Sequence, residues 1–422
     1  MIINIYSLIK RYLPLQFKIK TKAFLYDLLF YKRALILYKY KITKKRQIKS
    51  SRTIPLRILL VMPHLIFGGV ERLTYDMIKN MDKKKYIFYI ACTLKKGGLY
   101  ESFSKLVNRR TYDLSLIGKN YWKQRRYIEE LIIENNIDII ILSNNEPYYF
   151  MLPFFSLLPK RPIIFNWLHC DTFYFQVHEL GYEKFFPFID KTIVNNKGLR
   201  KFLVTNKNYS TKKITLISNG VDLRQFDPKK YPKTKIKERL GIPSSQKVIG
   251  FIARLTSEKQ PLEFIKLAKK ISSIDENVCF IVVGEGYYKS SMLQLAKKLN
   301  LEKNIYFLGK RTDIPEILSV VNIIVSTSIS EGFGLAIAEA IAMEIPAVAF
   351  RVGGISELVQ HKKNGFLVNP NNISDMAKYV IKLINNDSLR KNMGENGRRI
   401  IERKFNISFS CQKLSSLINK HV

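Results

Sequence analysis

The stretch Ser326-Thr-Ser-Ile-Ser-Glu-Gly-Phe-Gly-Leu-Ala-Ile-Ala-Glu339 decides how this chain is read. An apolar run, Ile323–Ser326, ends in a loop of small polar residues. Glu331 stands in that loop, Gly332 and Gly334 follow, and apolar residues at helical spacing begin beside Gly334. The pattern is a strand end, a glycine-bearing turn and the start of a buried helix. Glycine lets the backbone approach a ligand closely. A helix N-terminus adds unpaired N–H groups and a positive dipole end, which together suit a diphosphate. Glu331 and Glu339 are eight residues apart, one in the loop and one inside the helix. From those places they accept hydroxyl hydrogens from two parts of one ligand, such as a sugar and a ribose. Two glutamates at that spacing mean little in a charged chain. The strand end, the glycines and the helix start give this pair its weight.

Working back from this stretch, Val248–Ala253 is another short β-branched run, and Arg254-Leu-Thr-Ser-Glu-Lys259 follows it directly. A loop at the carboxyl end of the first strand of a sheet is where ligand contacts belong. Arg254 and Lys259 supply two cations for a departing diphosphate. Further runs at Val278–Val283, Ile305–Leu308 and Ala347–Phe350 alternate with helical stretches such as Pro261–Ser272 and Asp387–Lys404. The same alternation fills the chain from Leu56. Strands are expected at Leu56–Met62, Ile87–Thr93, Ile137–Leu142, Pro162–Leu168, Lys191–Val194 and Ile214–Ile217, with helices at Val70–Met81, Lys123–Asn135 and Asn196–Thr205. Short, nearly continuous β-branched runs are typical of parallel strands covered on both faces. Between the two series, Phe226–Ser245 is polar and carries Pro228, Pro232 and Pro243, and it reads as a linker. The expected fold is α/β: two Rossmann-like, doubly wound domains with the ligand in the cleft between them.

The chain has 422 residues, 46% of them hydrophobic, ample for two cores. Cys92, Cys170, Cys279 and Cys411 form no CxxC pair, so neither a zinc knuckle nor a disulfide framework is indicated. Buried thiols in a reducing cytoplasm are expected. The net charge of +37 is divided as +13 over residues 1–53, +15 over 54–245 and +9 over 246–422. A basic excess weighted to the front of the chain suggests an anionic partner, although the Lys-, Ile- and Asn-rich composition throughout also carries part of it.

Residues 1–53 form a basic amphipathic segment, with 14 Lys/Arg opposed by Asp27 alone. Apolar clusters at Leu13–Phe17, Phe24–Phe30 and Ala34–Tyr38 alternate with cations. None reaches the ~20 residues that span a bilayer, and no signal-peptide pattern is present. Basic residues mixed with Phe, Tyr and Leu suit a helix lying on an anionic membrane surface. An additional helical pair packed on the body, or a tail, is the plainer alternative. The expected location is the cytoplasm, peripheral on the inner face of the membrane.

Several motifs now stand in order: Gly68-Gly-Val-Glu-Arg72 after the first strand, Ser218-Asn-Gly-Val-Asp222, Arg254 to Lys259, Gly284-Glu-Gly286, Phe307-Leu-Gly309, Glu331 to Glu339 and Gly353-Gly-Ile-Ser-Glu357. In this order the chain resembles the retaining glycosyltransferases of family four (glycosyl transferases group one), which have the two-Rossmann GT-B fold. The resemblance covers about residues 54 to 405. It implies a first Rossmann-like domain at 54–228 that holds the acceptor and a linker at 229–245. A donor-binding domain at 246–404 and a helix at 405–422 that crosses back to the first domain complete the expected organisation.

The resemblance also implies roles. Glu331 would contact donor-sugar hydroxyls and Glu339 the ribose. Arg254 and Lys259 would hold the diphosphate. Backbone amides around Phe333, Gly334 and Leu335 would bind sugar or phosphate, and Gly68 and Gly69 would let the first domain's loop close over the phosphates. His169, in Asn166-Trp-Leu-His169, matches the family's active-site histidine facing the donor sugar and acceptor. The implied reaction moves a hexose or N-acetylhexosamine from a nucleotide-diphosphate sugar, UDP favoured and GDP the alternative, to a glycan acceptor with retention at the anomeric carbon. A lipid-linked acceptor in surface-polysaccharide synthesis suits the basic first half. No metal or other cofactor is implied, and there is no Asp-x-Asp.

Competing readings fit less well. A nicotinamide-binding oxidoreductase requires G-x-G-x-x-G at a strand–helix turn, and neither Gly68-Gly69 nor Gly284-Glu-Gly286 supplies the third glycine. Net charge alone suggests a nucleic-acid binder, but no recognised module appears, so nucleic acid is not an expected partner. A catalytically silent scaffold or membrane-surface binder of the same fold is the remaining alternative. Such a chain would be expected to have lost Glu331, Lys259 or His169.

Overall fold

The computed structural model describes residues 55–422, apart from 119, 145, 170–181 and 208. The basic segment 1–53 and Cys170 lie outside the described residues. Two parallel sheets carry the fold. The first contains β1 (Leu56–His64), β2 (Tyr86–Lys95), β3 (Thr111–Asp113), β4 (Ile139–Ser143), β5 (Ile163–Leu168), β6 (Lys191–Val194) and β7 (Ile214–Leu216), in the order β3-β2-β1-β4-β5-β6-β7. The second contains β8 (Lys247–Ile252), β9 (Val278–Val283), β10 (Ile305–Gly309), β11 (Ile323–Ser326), β12 (Ala347–Phe350) and β13 (Gly365–Val368), in the order β10-β9-β8-β11-β12-β13.

Each sheet reverses direction of growth around its first strand, so β1 lies between β2 and β4, and β8 between β9 and β11. Such a switch point opens a crevice beyond the carboxyl ends of the strands. All ladders are parallel; Leu59, for example, is level with Tyr89 on one side and Ile140 on the other. The apolar runs are continuous because both faces are covered. Along β1, Ile58, Leu60 and Met62 enter one core while Leu59 and Val61 enter the other. In the second unit, Val248 faces one core and Ile249 and Phe251 the other.

Two strands were not foreseen. Thr111–Asp113 is an edge strand of three residues, only one of them fully buried. Gly365–Val368 has just three apolar residues after a polar turn. The expected linker is also more structured than its composition suggests. It holds the helix Lys233–Arg239, and Ile236 and Ile242 are buried in the second unit's core. Its polarity belongs to the outward face, where Arg239 pairs with Asp313 and Glu316.

The chain passes between the units twice, and the two passages touch. The Val221 N–H donates to the Phe405 carbonyl at 2.8 Å, and the Ile407 N–H donates to the Val221 carbonyl at 3.1 Å. A side chain on Gly220 would collide with the Ile407 backbone, which explains the glycine in Ser218-Asn-Gly-Val-Asp222 by close approach. The helix Ile407–His421 then returns to the first unit and buries Ile407, Cys411, Leu414, Leu417 and Ile418 in the core beside β1 and β2. Cys92, Cys279 and Cys411 are buried free thiols. Among the described residues, no helix is long and apolar enough to cross a membrane.

Candidate active site

Two loops at the carboxyl ends of β8 and β11 are sewn together by short-range hydrogen bonds. The Thr327 hydroxyl donates to the carbonyls of Lys259 (2.9 Å) and Gln260 (3.0 Å), and the Ile329 N–H donates to the Glu258 carbonyl at 3.0 Å. Their register brings the Lys259 ammonium to 2.5 Å from Glu331 Oε1, with the side chains 12% and 20% exposed. The Ser328 hydroxyl donates to the same oxygen at 3.3 Å. Arg254 lies on the rim, 59% exposed, and pairs with Glu258 at 3.1 Å. The Gly284-Glu-Gly286 turn holds the Arg254 loop, since the Leu255 N–H donates to the Glu285 carbonyl and the Leu255 carbonyl accepts from Tyr288.

Gly334 caps the helix Leu335–Ala342 with φ 83° and ψ 55°, a left-handed conformation that favours glycine. Across from it, Gly68 caps the helix Gly69–Asn80 of the first unit, and the Leu335 side chain comes within 3.9 Å of the place a Gly69 side chain would occupy. The N-termini of helices from both units therefore meet at one point, and their free N–H groups make it electropositive. Phe333 is buried and packs on Phe405 with ring centroids 5.7 Å apart, which anchors the loop before the helix.

Two acids face this junction from the interior. The Glu71 carboxylate, in the first turn of its helix, folds back against Gly68. Burial pushes its pKa up to about 7, while its own backbone N–H and the Arg254 charge pull it down. Glu339 is buried, and burial raises it to about 8. The charges acting on it belong to the first unit: Arg72, which lowers the value, and Asp76, which raises it. Those two pair with each other at 3.1 Å. Near neutrality Glu339 is therefore largely protonated and Glu71 about half protonated.

His169 follows β5 and is 3% exposed. Its ring stacks on Trp167, and Nε2 lies 3.1 Å from the Ser143 hydroxyl. Burial lowers its pKa to about 3, so the imidazole is neutral. Nδ1 is buried and has no partner among the described residues. Its carbonyl does different work. It accepts from the Asn195 side-chain amide at 2.7 Å and lies where a side chain on Gly332 would have to go. Asn196 donates to the Gly332 carbonyl at 2.8 Å and to Asn195 Oδ1 at 2.9 Å. From below, the Gly354 N–H donates to the Glu331 carbonyl at 3.0 Å.

The structure thus brings Lys259 and Glu331 into direct contact, sets Gly68 and Gly69 opposite Gly334 and Leu335, and lays the His169 backbone on Gly332. Glu339 is reached from the side of Arg72 and Asp76, and Arg254 from the rim. Glu71, Ser143, Asn195 and Asn196 were not singled out from sequence. The Asn195-Asn196 pair after β6 was the visible signal, since it too stands at a strand's carboxyl end. Among the described residues, no group of three or more His, Cys, Asp or Glu side chains is placed to hold a metal ion.

Residues 67–225 match the family model for Glycosyltransferase Family 4, and residues 232–400 match that for Glycosyl transferases group 1. The chain belongs to the GT-B glycosyltransferases of the family-four type. This GT-B chain is 31% identical, over 46% of its length, to N-acetyl-alpha-D-glucosaminyl L-malate synthase of Bacillus anthracis. It is 27% identical, over 80% of its length, to the poly(ribitol-phosphate) alpha-N-acetylglucosaminyltransferase of Staphylococcus aureus. It is 32% identical, over 49% of its length, to the Escherichia coli UDP-Gal:alpha-D-GlcNAc-diphosphoundecaprenol alpha-1,3-galactosyltransferase. The matches span 50%, 66% and 54% of those three relatives. A glycosyltransferase structure from Rickettsia africae superposes with a TM-score of 0.75 at 23% identity, covering 87% of this chain and 98% of that one. Anabaena HepE, in complex with UDP and glucose, gives 0.74 at 20% identity, covering 86% and 100%. Both likenesses establish the GT-B fold.

Proposed function

We propose that this chain is a retaining glycosyltransferase that moves a hexose or N-acetylhexosamine from a UDP-sugar to a glycan acceptor in surface-polysaccharide synthesis. What carries this is one convergence: the Lys259–Glu331 pair beside two facing helix N-termini, with Glu339 buried behind them. The diphosphate would lie at the junction of Gly68-Gly69 and Gly334-Leu335, with Lys259 and Arg254 as its cations. Glu331 would take sugar hydroxyls and Glu339 the ribose. The unpartnered Nδ1 of His169 would be completed by a hydroxyl of the donor sugar or acceptor.

In the step itself, the acceptor hydroxyl oxygen forms a bond to the anomeric carbon as the bond from that carbon to the phosphate oxygen breaks. The hydroxyl proton passes to the departing phosphate on the same face, which retains the anomeric configuration. Excluding water from the junction favours transfer over hydrolysis. A UDP donor is favoured by the ligand of HepE, and a lipid-linked acceptor by the diphosphoundecaprenol-linked acceptor of the E. coli relative. Docking to an anionic membrane through residues 1–53 belongs to the same proposal and rests on their charge.

A thermal-shift screen of nucleotide sugars tests the donor. One UDP-sugar should raise Tm selectively, by mass action, and then support transfer to a lipid-linked glycan primer. No response to any nucleotide sugar or nucleotide would remove the proposal. Liposome flotation with and without residues 1–53 tests the membrane arm, and equal recovery of both proteins in the soluble fraction would count against it.

A further inference from the structure

Away from the donor loops, a groove of about 1010 Å³ runs between the units on the side of the returning C-terminal helix. One wall comes from β6, β7 and the start of the helix Lys197–Lys207. The other comes from the helix Ile355–Leu358 and the end of the long helix Asp387–Lys404. The helix Ile407–His421 forms its floor. The hydrogen bond of Asn196 to Gly332 marks the boundary toward the donor loop, because Lys197, next along the chain, already lines the groove.

Six cations line it: Lys191, Lys197, Arg403, Lys404, Lys413 and Lys420. The single acid is Glu357, and its carboxylate is engaged by the Lys197 backbone N–H at 2.7 Å. Six to one far exceeds the 71 to 34 of the whole chain, so composition alone does not account for the groove. Arg403, Lys404, Lys413 and Lys420 are exposed and form no ion pair among the described residues. Lys191 and Lys420 come close enough that the Lys420 charge, after burial, lowers the pKa of Lys191. Like charges gathered on facing walls repel, and an anion between them relieves that repulsion.

We propose that this groove is a second binding site, separate from the donor cleft, for a linear anionic glycan. The repeated cations suit charges spaced along a chain rather than one small anion. Ser218, Ser356, Ser416 and Gln412 line the same surface and supply hydrogen-bonding groups for sugar hydroxyls. Single-stranded nucleic acid relies on aromatic platforms for its bases. Here Phe405 is buried and Phe409 alone is partly open, at 38%. Because its walls belong to both units, a strand seated here also bridges them. Nothing in this site depends on which sugar the donor carries.

The test is calorimetric binding to the full chain, with a heparin-derived hexasaccharide as the anionic glycan, orthophosphate as the small anion and a single-stranded oligonucleotide of equal charge. Two variants lose the same charge: Arg403→Ala, Lys404→Ala, Lys413→Ala and Lys420→Ala in the groove, and Lys269→Ala, Lys270→Ala, Lys297→Ala and Lys298→Ala on exposed helices elsewhere. Circular dichroism melts confirm that both fold. The hexasaccharide should bind the wild type, lose at least tenfold in affinity in the groove variant, and be nearly unaffected in the other. Orthophosphate should bind far more weakly. Equal losses in both variants, or no loss in the groove variant, would overturn the proposal. So would an oligonucleotide that binds more tightly than the glycan and is equally sensitive to the groove substitutions.

Discussion

The Asn196 side-chain amide donates to the Gly332 carbonyl at 2.8 Å, joining the first unit to the loop that carries Glu331. The same residue accepts from the Leu199 N–H through Oδ1 at 2.7 Å and so caps the helix that follows β6. Asn196→Asp separates these roles, because a carboxylate keeps the cap but has no proton for Gly332. One lost hydrogen bond is worth about 0.5–1.5 kcal/mol, and the carboxylate facing a carbonyl adds repulsion. Transfer by Asn196→Asp should fall about tenfold or more while Tm changes little. Steady-state kinetics beside a thermal melt checks this, and wild-type turnover would show that the bond does not position the loop.

The Lys259–Glu331 contact gives the second prediction. Lys259→Ala removes a cation from the expected diphosphate position, and Glu331→Ala removes the expected acceptor for sugar hydroxyls. Loss of one such preorganised group typically costs about 10²–10³ in turnover. Each variant should reach at least that loss with the fold retained by circular dichroism. The double variant should lose less than the product of the two, since the partners touch. Near-normal turnover in either single variant would remove these residues from the site.

The units and most of their strands were legible because parallel strands buried on both faces become unbroken apolar runs, and those runs survive without any knowledge of partners. The placement of Lys259 and Glu331 on loops at strand ends was legible for a related reason: strand ends and glycine turns are local features. Asn196, Ser143 and Glu71 were not, because their contacts arise only on folding: Asn196 reaches Gly332 of the other unit, Ser143 meets the His169 ring across the first sheet, and Glu71 turns back onto Gly68. His169 shows the limit from the other side. Its place after β5 was readable, but that its ring turns toward Ser143 and Trp167 while its carbonyl meets Gly332 depends on packing. The helix Lys233–Arg239 was hidden by a polar outward face that reads as a linker.

Glu339 sets a pH dependence. Its folded pKa is about 8, well above the ordinary glutamate value of 4.5. A raised folded value means that the folded chain holds a proton the unfolded chain has released between those two points. Stability therefore declines as pH rises from about 4.5 toward 8 and levels off above that. Glu71, raised to about 7, acts in the same direction over a narrower window. Glu339→Gln keeps the shape and abolishes the titration. Its Tm should match that of the wild type at pH 5 and exceed it by ~2 °C or more at pH 8. Parallel melting curves across this range, with no gain for the variant at the alkaline end, would mean that Glu339 is ionised in the folded chain at neutral pH.

Gly332 carries the last prediction. It has no need of unusual backbone angles; what excludes a side chain is the His169 carbonyl, with the Asn195 amide nitrogen 3.4 Å from the position of a methyl group. Gly332→Ala therefore leaves each unit's core untouched and obstructs only the place where the two meet. Overpacking of this kind costs about 1–3 kcal/mol, which corresponds to roughly a five- to hundredfold bias against the joined arrangement. Turnover should fall by a factor in that range, with little change in the unfolding of either unit. Small-angle scattering with saturating UDP separates this from simple misfolding, because the variant should have a larger radius of gyration than the wild type at equal secondary-structure content. An equally compact variant with wild-type turnover would show that the methyl group is accommodated and that the approach of Gly332 to His169 does not limit the reaction.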